Sequence, residues 1–302
     1  HPDIGLFVES EIWPNLMYQA EQHNVPLFLI NARMSQNSFK NWKRFPNSVR
    51  HLLNQFDLIL AQDNHSCVRY EMLGARRIIS AGNLKYDTPP LPHKAAELQN
   101  LTQAIGNRPI WLAASTHEGE ELMVAETHKN LKNKHPGLLS IIAPRHPQRG
   151  DSLVKQLTEL DLTITRRSEN QPVNADTDIY LADTIGEMGL LYRLSDIAFI
   201  GGTVTPKGGQ NPLEAARLDS AIFYGPSNEN FSEMFTLMKE MDAGREIFSQ
   251  NDMTDMVDLL LSDSDFRKKL KNNALKLIDT NAGATDETLN AITPFLEKTT
   301  SR

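Results

Sequence analysis

The sequence has almost no cysteine. Cys67 stands alone among 302 residues, so the chain has no internal disulfide and no cysteine-based metal site, which fits a reducing compartment. The nine histidines are scattered, with no pair at metal-ligand spacing. No apolar run approaches the roughly 18 residues of a membrane-crossing helix, and no signal peptide is visible. A net charge of −7 argues against a general nucleic-acid binder. One further absence is local. From Gln22 to Phe56 there is no Asp or Glu, while Arg33, Lys40, Lys43, Arg44 and Arg50 all occur, interleaved with Phe39, Trp42 and Phe45. Such a patch suits an anionic amphiphile or membrane head groups; the plain alternative is a solvated helix face over core aromatics.

What is there is ordinary in bulk. A 40% hydrophobic and 23% charged composition is that of a soluble globular protein, and the length predicts about two domains. Ile4–Val8 is expected as a buried strand. No initiator methionine or polar tail precedes it, which predicts a fragment whose upstream part is missing. Short apolar strands then alternate with amphipathic helices. Strands are expected at Pro26–Ile30, Asp57–Ala61 and Arg77–Ser80, with helices from Glu11, over Ser35–Asn54 and over Asn64–Leu73. After a proline-rich stretch, Gly82–Pro92, expected as an extended linker, the alternation resumes. It runs through strands at Pro109–Ala114, Leu138–Ala143, Leu162–Thr165, Ile179–Leu181, Ile197–Ile200 and Ala221–Tyr224. Strands separated by helix-length segments predict parallel sheets covered on both faces. The expected class is α/β, with two doubly wound domains over residues 1–88 and 89–285 and a final helix, 286–302, crossing back to the first.

The chemically distinctive stretches all follow predicted strands, where ligands of such sheets bind. After Ile197–Ile200 comes Gly201-Gly202-Thr203-Val204-Thr205-Pro206-Lys207-Gly208-Gly209-Gln210-Asn211-Pro212-Leu213-Glu214. Strand, glycine loop and helix start let bare N–H groups approach a phosphate, and Glu214 in the first helical turn is placed to accept from ribose hydroxyls. The plain alternative is a tight βα turn with a capping acid. Ser115 or Thr116 is expected to cap a helix through its hydroxyl, with Glu118, Glu120 and Glu121 near its first turn. Pro144-Arg145-His146-Pro147 presents an arginine suited to phosphate or carboxylate from a turn stiffened by prolines. Gly186-Glu187-Met188 offers another open helix start. Together these predict a nucleotide site.

These stretches, with Glu9-Ser10-Glu11-Ile12-Trp13-Pro14-Asn15, Asn31-Ala32-Arg33-Met34-Ser35 and Gly82-Asn83-Leu84-Lys85-Tyr86-Asp87, resemble the Kdo transferases. These are GT-B glycosyltransferases that move 3-deoxy-D-manno-octulosonic acid from CMP-Kdo onto lipid A precursor. Gln210 stands where the family usually has His, and Ala215 where it has Pro. The resemblance implies an inverting mechanism without metal or other cofactor, at the cytoplasmic face of the bacterial inner membrane. It further implies a membrane-anchoring segment and a Gly-Glu motif with the catalytic base; neither occurs here, so both are expected upstream of His1. By resemblance CMP sits in the second domain on Ser115, Thr116, Pro144, Arg145, His146, Gly186, Glu187, Met188, Gly208, Gly209, Asn211 and Glu214. Glu9, Glu11 and Arg33 face the cleft and orient Kdo or acceptor, with Arg33 a partner for the Kdo carboxylate. Lys40, Trp42, Lys43, Arg44 and Arg50 meet the acceptor and its anionic membrane. The competing readings are a GT-B UDP-sugar 2-epimerase, a nucleotide-binding module without turnover, and a non-enzymatic scaffold.

Overall fold

The computed structural model describes residues 2–300, with side chains through residue 297. Residues up to Thr88 together with those from Asp279 onward form one compact unit, and Pro89–Ile278 form a second.

The first unit runs β1 (Gly5–Val8), α1 (Pro14–Gln22), β2 (Leu27–Ala32), α2 (Gln36–Trp42), α3 (Pro46–Leu53), β3 (Leu58–Ala61), α4 (Asn64–Met72) and β4 (Ile78–Ser80). Its four parallel strands lie in sequence order. Parallel crossovers are almost always right-handed, so a sheet built in one direction puts its helices on one face. Leu27, Leu29 and Ile59 point that way and pack with Met17, Phe39, Val49, Leu53 and Tyr70. Phe28 and Leu60, one residue out of step, point to the opposite face, as the two-residue period of a strand requires. The last helix of the chain, Ala284–Thr300, covers that face through Ile292 and Phe295. The Phe295 ring meets Phe28 edge-on at 4.9 Å.

Three expectations fail in this unit for local reasons. β1 is a half-exposed edge strand, with Leu6 46% and Val8 45% exposed, because only β2 pairs with it among the described residues. The single helix expected over Ser35–Asn54 is two. Phe45 precedes Pro46 and sits at φ −128°, ψ 61°, outside the helical region that a following proline disfavours. The expected linker is also partly ordered. Leu84–Asp87 forms a 3₁₀ turn, with the Asn83 side chain accepting from Lys85 N–H at 3.1 Å.

The second unit contains α5 (Ala95–Ile105), β5 (Ile110–Thr116), α6 (Glu120–Leu131), β6 (Leu139–Pro144), α7 (Gly150–Thr158), β7 (Ile164–Arg166), β8 (Ile179–Leu181), α8 (Met188–Leu194), β9 (Ile197–Ile200), α9 (Leu213–Arg217), β10 (Ala221–Tyr224), α10 (Ser232–Glu240), β11 (Arg245–Glu246), α11 (Gln250–Ser262) and most of α12 (Ser264–Asn281); Ala284–Thr300 is then α13. The parallel sheet has order β11-β10-β9-β5-β6-β8-β7. Its inner strands β6, β9 and β10 are buried on both sides and are nearly continuous apolar runs, as expected when helices cover both faces. Trp111, Phe199 and Phe223 stack across three neighbouring strands on one face. The segment before α5 is pinned, since Arg193 donates to Leu91 O at 2.7 Å and Gly189 leaves room for the Leu91 and Pro92 carbonyls.

The strand order fixes where a ligand can bind. The chain steps outward from β5 in one direction, then returns to place β9 on its other side. Loops leaving β5 and β9 therefore part in opposite directions and open a crevice at their carboxyl ends.

Candidate functional site

The loops after β5, β6 and β9 meet at that crevice. Ser115, the last residue but one of β5, lies in the left-handed region, φ 55°, at a register shift between Ala114 and Thr116. The kink lets Gly201, the first residue after β9, lie against Ser115 O, with Thr116 Cα only 2.7 Å from where a Cβ would stand. Only glycine fits there. The β6 loop joins through Arg145 N–H, which donates to Thr116 O at 2.9 Å.

Side chains then converge. Glu214, in the first turn of α9, is hydrogen-bonded by Asn211 and lies within electrostatic reach of Arg145; burial dominates and raises its pKa above the usual carboxylate value. Arg145 is exposed, and among the described residues its guanidinium has no hydrogen bond or ion pair. A structural salt bridge thus does not account for it. The rings of His117 and His146 meet edge-on at 5.6 Å, and Gln210 Nε2 lies 3.3 Å from His117 Nε2. Burial lowers the His117 pKa, helped by the positive field of His146, Lys207 and Arg145. The result is a cluster of one uncompensated guanidinium, two imidazoles and a half-buried acid with an amide beside it. It offers cationic donors for an anion and a carboxylate acceptor for hydroxyls.

The glycine loop departs from expectation in one respect that matters. Its N–H groups do not open onto a ligand. Gly208 N–H donates to Ser227 Oγ at 3.0 Å and Gly209 N–H to Gly202 O at 2.8 Å. Gly202, Val204 and Thr205 donate to the buried Glu120 carboxylate. The glycines shape the loop, at positive φ, rather than cradle an anion. The capping expectation also fails. Gly119 is the α6 cap without a side-chain bond, while Thr116 is fully buried and donates to Glu121 Oε1 at 3.0 Å. Arg149 grips the same Glu121 at 2.7 and 3.3 Å.

Gly186-Glu187-Met188 leads into α8 beside a cavity of about 590 Å³, lined by Lys94, Arg167, Thr184, Ile185 and Gly186. Gly186 has φ 84° and open space at its Cβ position. Glu187 is held on both oxygens by Arg167, at 2.7 and 3.1 Å, which keeps its carboxyl below the usual range. Glu187 is therefore a brace for the loop and not a free acceptor.

In the first unit, Glu9 and Asn31 both sit just at strand ends with left-handed φ, 59° and 49°. Lys85 pairs with Glu9 at 2.7 Å, and Leu84 N–H donates to Asn31 Oδ1 at 3.1 Å. Arg33 joins them through its backbone: its N–H donates to Glu9 O at 3.3 Å, and its carbonyl accepts from Ser10 Oγ and Tyr70 Oη. Its guanidinium has no partner among the described residues. Glu11 stands apart, accepting from Trp13 Nε1 at 2.6 Å. Lys40 on α2, Lys43, Arg44 and Phe45 in the turn that follows it, and Arg50 on α3 are exposed. Trp42 is the correction: it is half-buried and packs on the core.

The sequence reading placed Glu120 and Glu121 in the first helical turn, where they are, but missed what they bind, and it gave no role to Arg149, Arg167 or Lys85; all five hold site segments in place. A signal for Glu120 was present. It lies four residues before Val124, which begins the buried stripe Val124, Thr127, Leu131 of α6, so the helical period turns it inward.

A family model described as 3-deoxy-D-manno-octulosonic-acid transferase (kdotransferase) matches residues 1–88. A 3-deoxy-D-manno-octulosonic acid transferase from Haemophilus influenzae is 35% identical over 303 residues, covering 98% of this chain and 70% of that protein. Among solved structures, the C-terminal CMP-Kdo binding domain of WaaA from Acinetobacter baumannii is 31% identical, covers 61% of this chain and 96% of that one, and gives a TM-score of 0.58. A putative UDP-N-acetylglucosamine 2-epimerase from Listeria monocytogenes, 13% identical, covers 98% of this chain and 76% of that one at a TM-score of 0.62; at that identity the likeness is one of fold. Both units have the parallel α/β build that the GT-B expectation requires. The chain belongs to the 3-deoxy-D-manno-octulosonic acid transferase family.

Proposed function

We propose that the chain transfers Kdo from CMP-Kdo to a hydroxyl of lipid A precursor, with inversion, as a step of lipopolysaccharide assembly. A carboxylate base takes the proton of the acceptor hydroxyl as its oxygen attacks the anomeric carbon of Kdo, and CMP departs with the bonding pair. CMP lies at the carboxyl ends of β5, β6 and β9. Arg145 pairs with its phosphate and offsets the charge that grows there as the bond breaks; His117 and His146 stand beside it. Glu214, oriented by Asn211, accepts from the ribose hydroxyls. Gly186 and Met188 face the base, with Glu187 fixing that loop. Gly208 and Gly209, Ser115 and Thr116, and Pro144 set backbone shape. No metal or cofactor has a part, because Arg145 supplies the positive charge. In the first unit Glu9 and Arg33 orient Kdo or acceptor, and Arg33 suits the Kdo carboxylate, its fork being unpaired.

The acceptor is an acylated, phosphorylated lipid, and the exposed cations of α2, α3 and the turn between them suit its surface. No helix among the described residues is long and apolar enough to cross a membrane. With those cations turned to anionic head groups, the chain works against the cytoplasmic face of the bacterial inner membrane.

The observation that carries the reading is the unpaired Arg145 beside Glu214 and Asn211 at the switch of strand order, in a chain of this family. Calorimetric titration with CMP and with UMP tests it. CMP is expected to bind with clear preference, and Glu214→Ala to weaken it by about tenfold or more, the scale of a lost hydrogen bond to a charged group. Preference for UMP, or CMP binding indifferent to Glu214→Ala, would discard the assignment.

A further inference from the structure

We infer that Glu120 is a positioning residue for the nucleotide site, fixing the backbone of the loop after β9 without touching a ligand. The inference rests on the nucleotide reading above and extends it to a residue outside the contact set.

The Glu120 side chain is fully buried, and among the described residues no Lys, Arg or His forms a salt bridge with it. Burying a carboxylate without a cation is costly unless hydrogen bonds replace its water. Backbone N–H groups from two loops supply them. Oε2 accepts from Gly202 at 2.8 Å and from His117 at 2.9 Å. Oε1 accepts from Val204 at 3.0 Å and, more weakly, from Thr205 at 3.4 Å. Such a concave row of N–H groups is what a bound phosphate would otherwise occupy. Here the protein fills the anion hole with its own carboxylate. An incoming phosphate is therefore left to the side chains at the rim, Arg145 first among them.

The carboxylate also sets register between two halves of the site. On one side it holds His117, whose ring faces His146 and Gln210. On the other it holds Gly202, whose carbonyl accepts from Gly209 N–H at 2.8 Å. Gly209 is two residues from Asn211, which bonds Glu214. One buried acid thereby spaces the His117 side from the Asn211–Glu214 side. Glutamine has nearly the same shape, but its amide points donors where the loop also presents donors.

The test compares wild type with Glu120→Gln and Glu120→Asp by two readings taken well below the melting temperature. The first is amide hydrogen exchange at His117, Gly202, Val204 and Thr205. The second is the Kd for CMP by calorimetry. In Glu120→Gln those amides are expected to lose protection, and the Kd to rise by about tenfold or more. Glu120→Asp, which keeps the charge but reaches less far, should fall between, giving partial rescue. A purely structural role would lower the melting temperature while leaving the Kd of the folded variant unchanged, and that result overturns the inference. Unchanged protection at the loop amides overturns it as well. Should Glu120→Gln fail to fold, Glu120→Asp yields both readings. Failure of wild type itself to bind CMP would instead sink the nucleotide reading, and with it the role built on it. The two failures are distinguishable because one appears in the parent protein and the other only in the variants.

Discussion

At the scale of single residues, the site trades stability for chemistry at Glu214. Burial raises its pKa, so the folded chain holds this proton at a pH where the unfolded chain has released it. Above the usual carboxylate value, about 4.3, stability therefore falls as the pH rises through the shifted pKa. Ionising the group costs the fold something and, in the proposed role, gives the ribose an acceptor. Glu214→Gln is expected to raise the thermal midpoint at pH 7 while weakening CMP; a midpoint that drops would contradict the assigned cause. His117 behaves in the opposite sense. Its pKa is lowered, first by burial and then by His146 and Lys207, so the unfolded chain binds the proton more readily. Stability is lost as the pH falls below about 6.5. His128, fully buried between Ser140 and Asp178, also has a lowered pKa and adds to the same slope. His117→Gln should flatten part of the fall in thermal midpoint between pH 7 and pH 5, and an unchanged slope would show that the imidazole does not titrate there.

At the scale of elements, strand order and glycine placement decide the crevice. Gly201→Ala would drive a methyl into the Ser115 backbone, which cannot swing aside as a side chain does. A loss of about 1–3 kcal/mol is expected, the usual range for overpacking, read by urea unfolding, with CMP binding lost in parallel. This level also shows what was legible in advance. Strands β8, β9 and β10 are named to the residue by their apolar runs, and the glycines mark the right loop. Whether its N–H groups were open was not legible, because the acceptor Glu120 lies 82 residues away in sequence and no local pattern pairs the two. The same holds for Lys85 on Glu9 and Arg167 on Glu187. Conversely, the break between α2 and α3 was written in Phe45-Pro46. Those two helices and the turn between them hold the exposed cations, each worth about 1 kcal/mol near an anionic surface. Reversing Lys40, Lys43 and Arg44 together to Glu should weaken binding to anionic vesicles by roughly a hundredfold, with little effect on neutral ones. Unchanged sedimentation with anionic vesicles at low salt would remove the membrane role from this face.

At the scale of the whole chain, the two units draw on sequence differently. The second is continuous, Pro89–Ile278, whereas the first needs residues from Asp279 onward. The reason lies in its sheet. Four strands added in one direction leave Phe28 and Leu60 on a face that none of α1–α4 covers, and α13 supplies Ile292 and Phe295 to it. The helix is anchored at its start, where the Asp87 carboxylate accepts from Gly283 N–H at 2.7 Å and from Thr285 N–H at 2.5 Å. Each large apolar side chain buried there contributes about 1.5–3 kcal/mol, so the cover as a whole is comparable with the 5–15 kcal/mol that hold a typical domain folded. Ending the chain after Asn281 should therefore loosen the first unit and spare the second. The tryptophans report on each separately: Trp13 and Trp42 lie in the first unit and Trp111 in the core of the second. With Trp111 replaced by Phe, the shortened chain should show red-shifted emission and an early melt; with Trp13 and Trp42 replaced instead, the Trp111 melt and the CMP titration should match the full chain. Loss of CMP binding on removal of α13 would mean that the nucleotide site depends on the first unit, and the division of labour between the two would have to be redrawn.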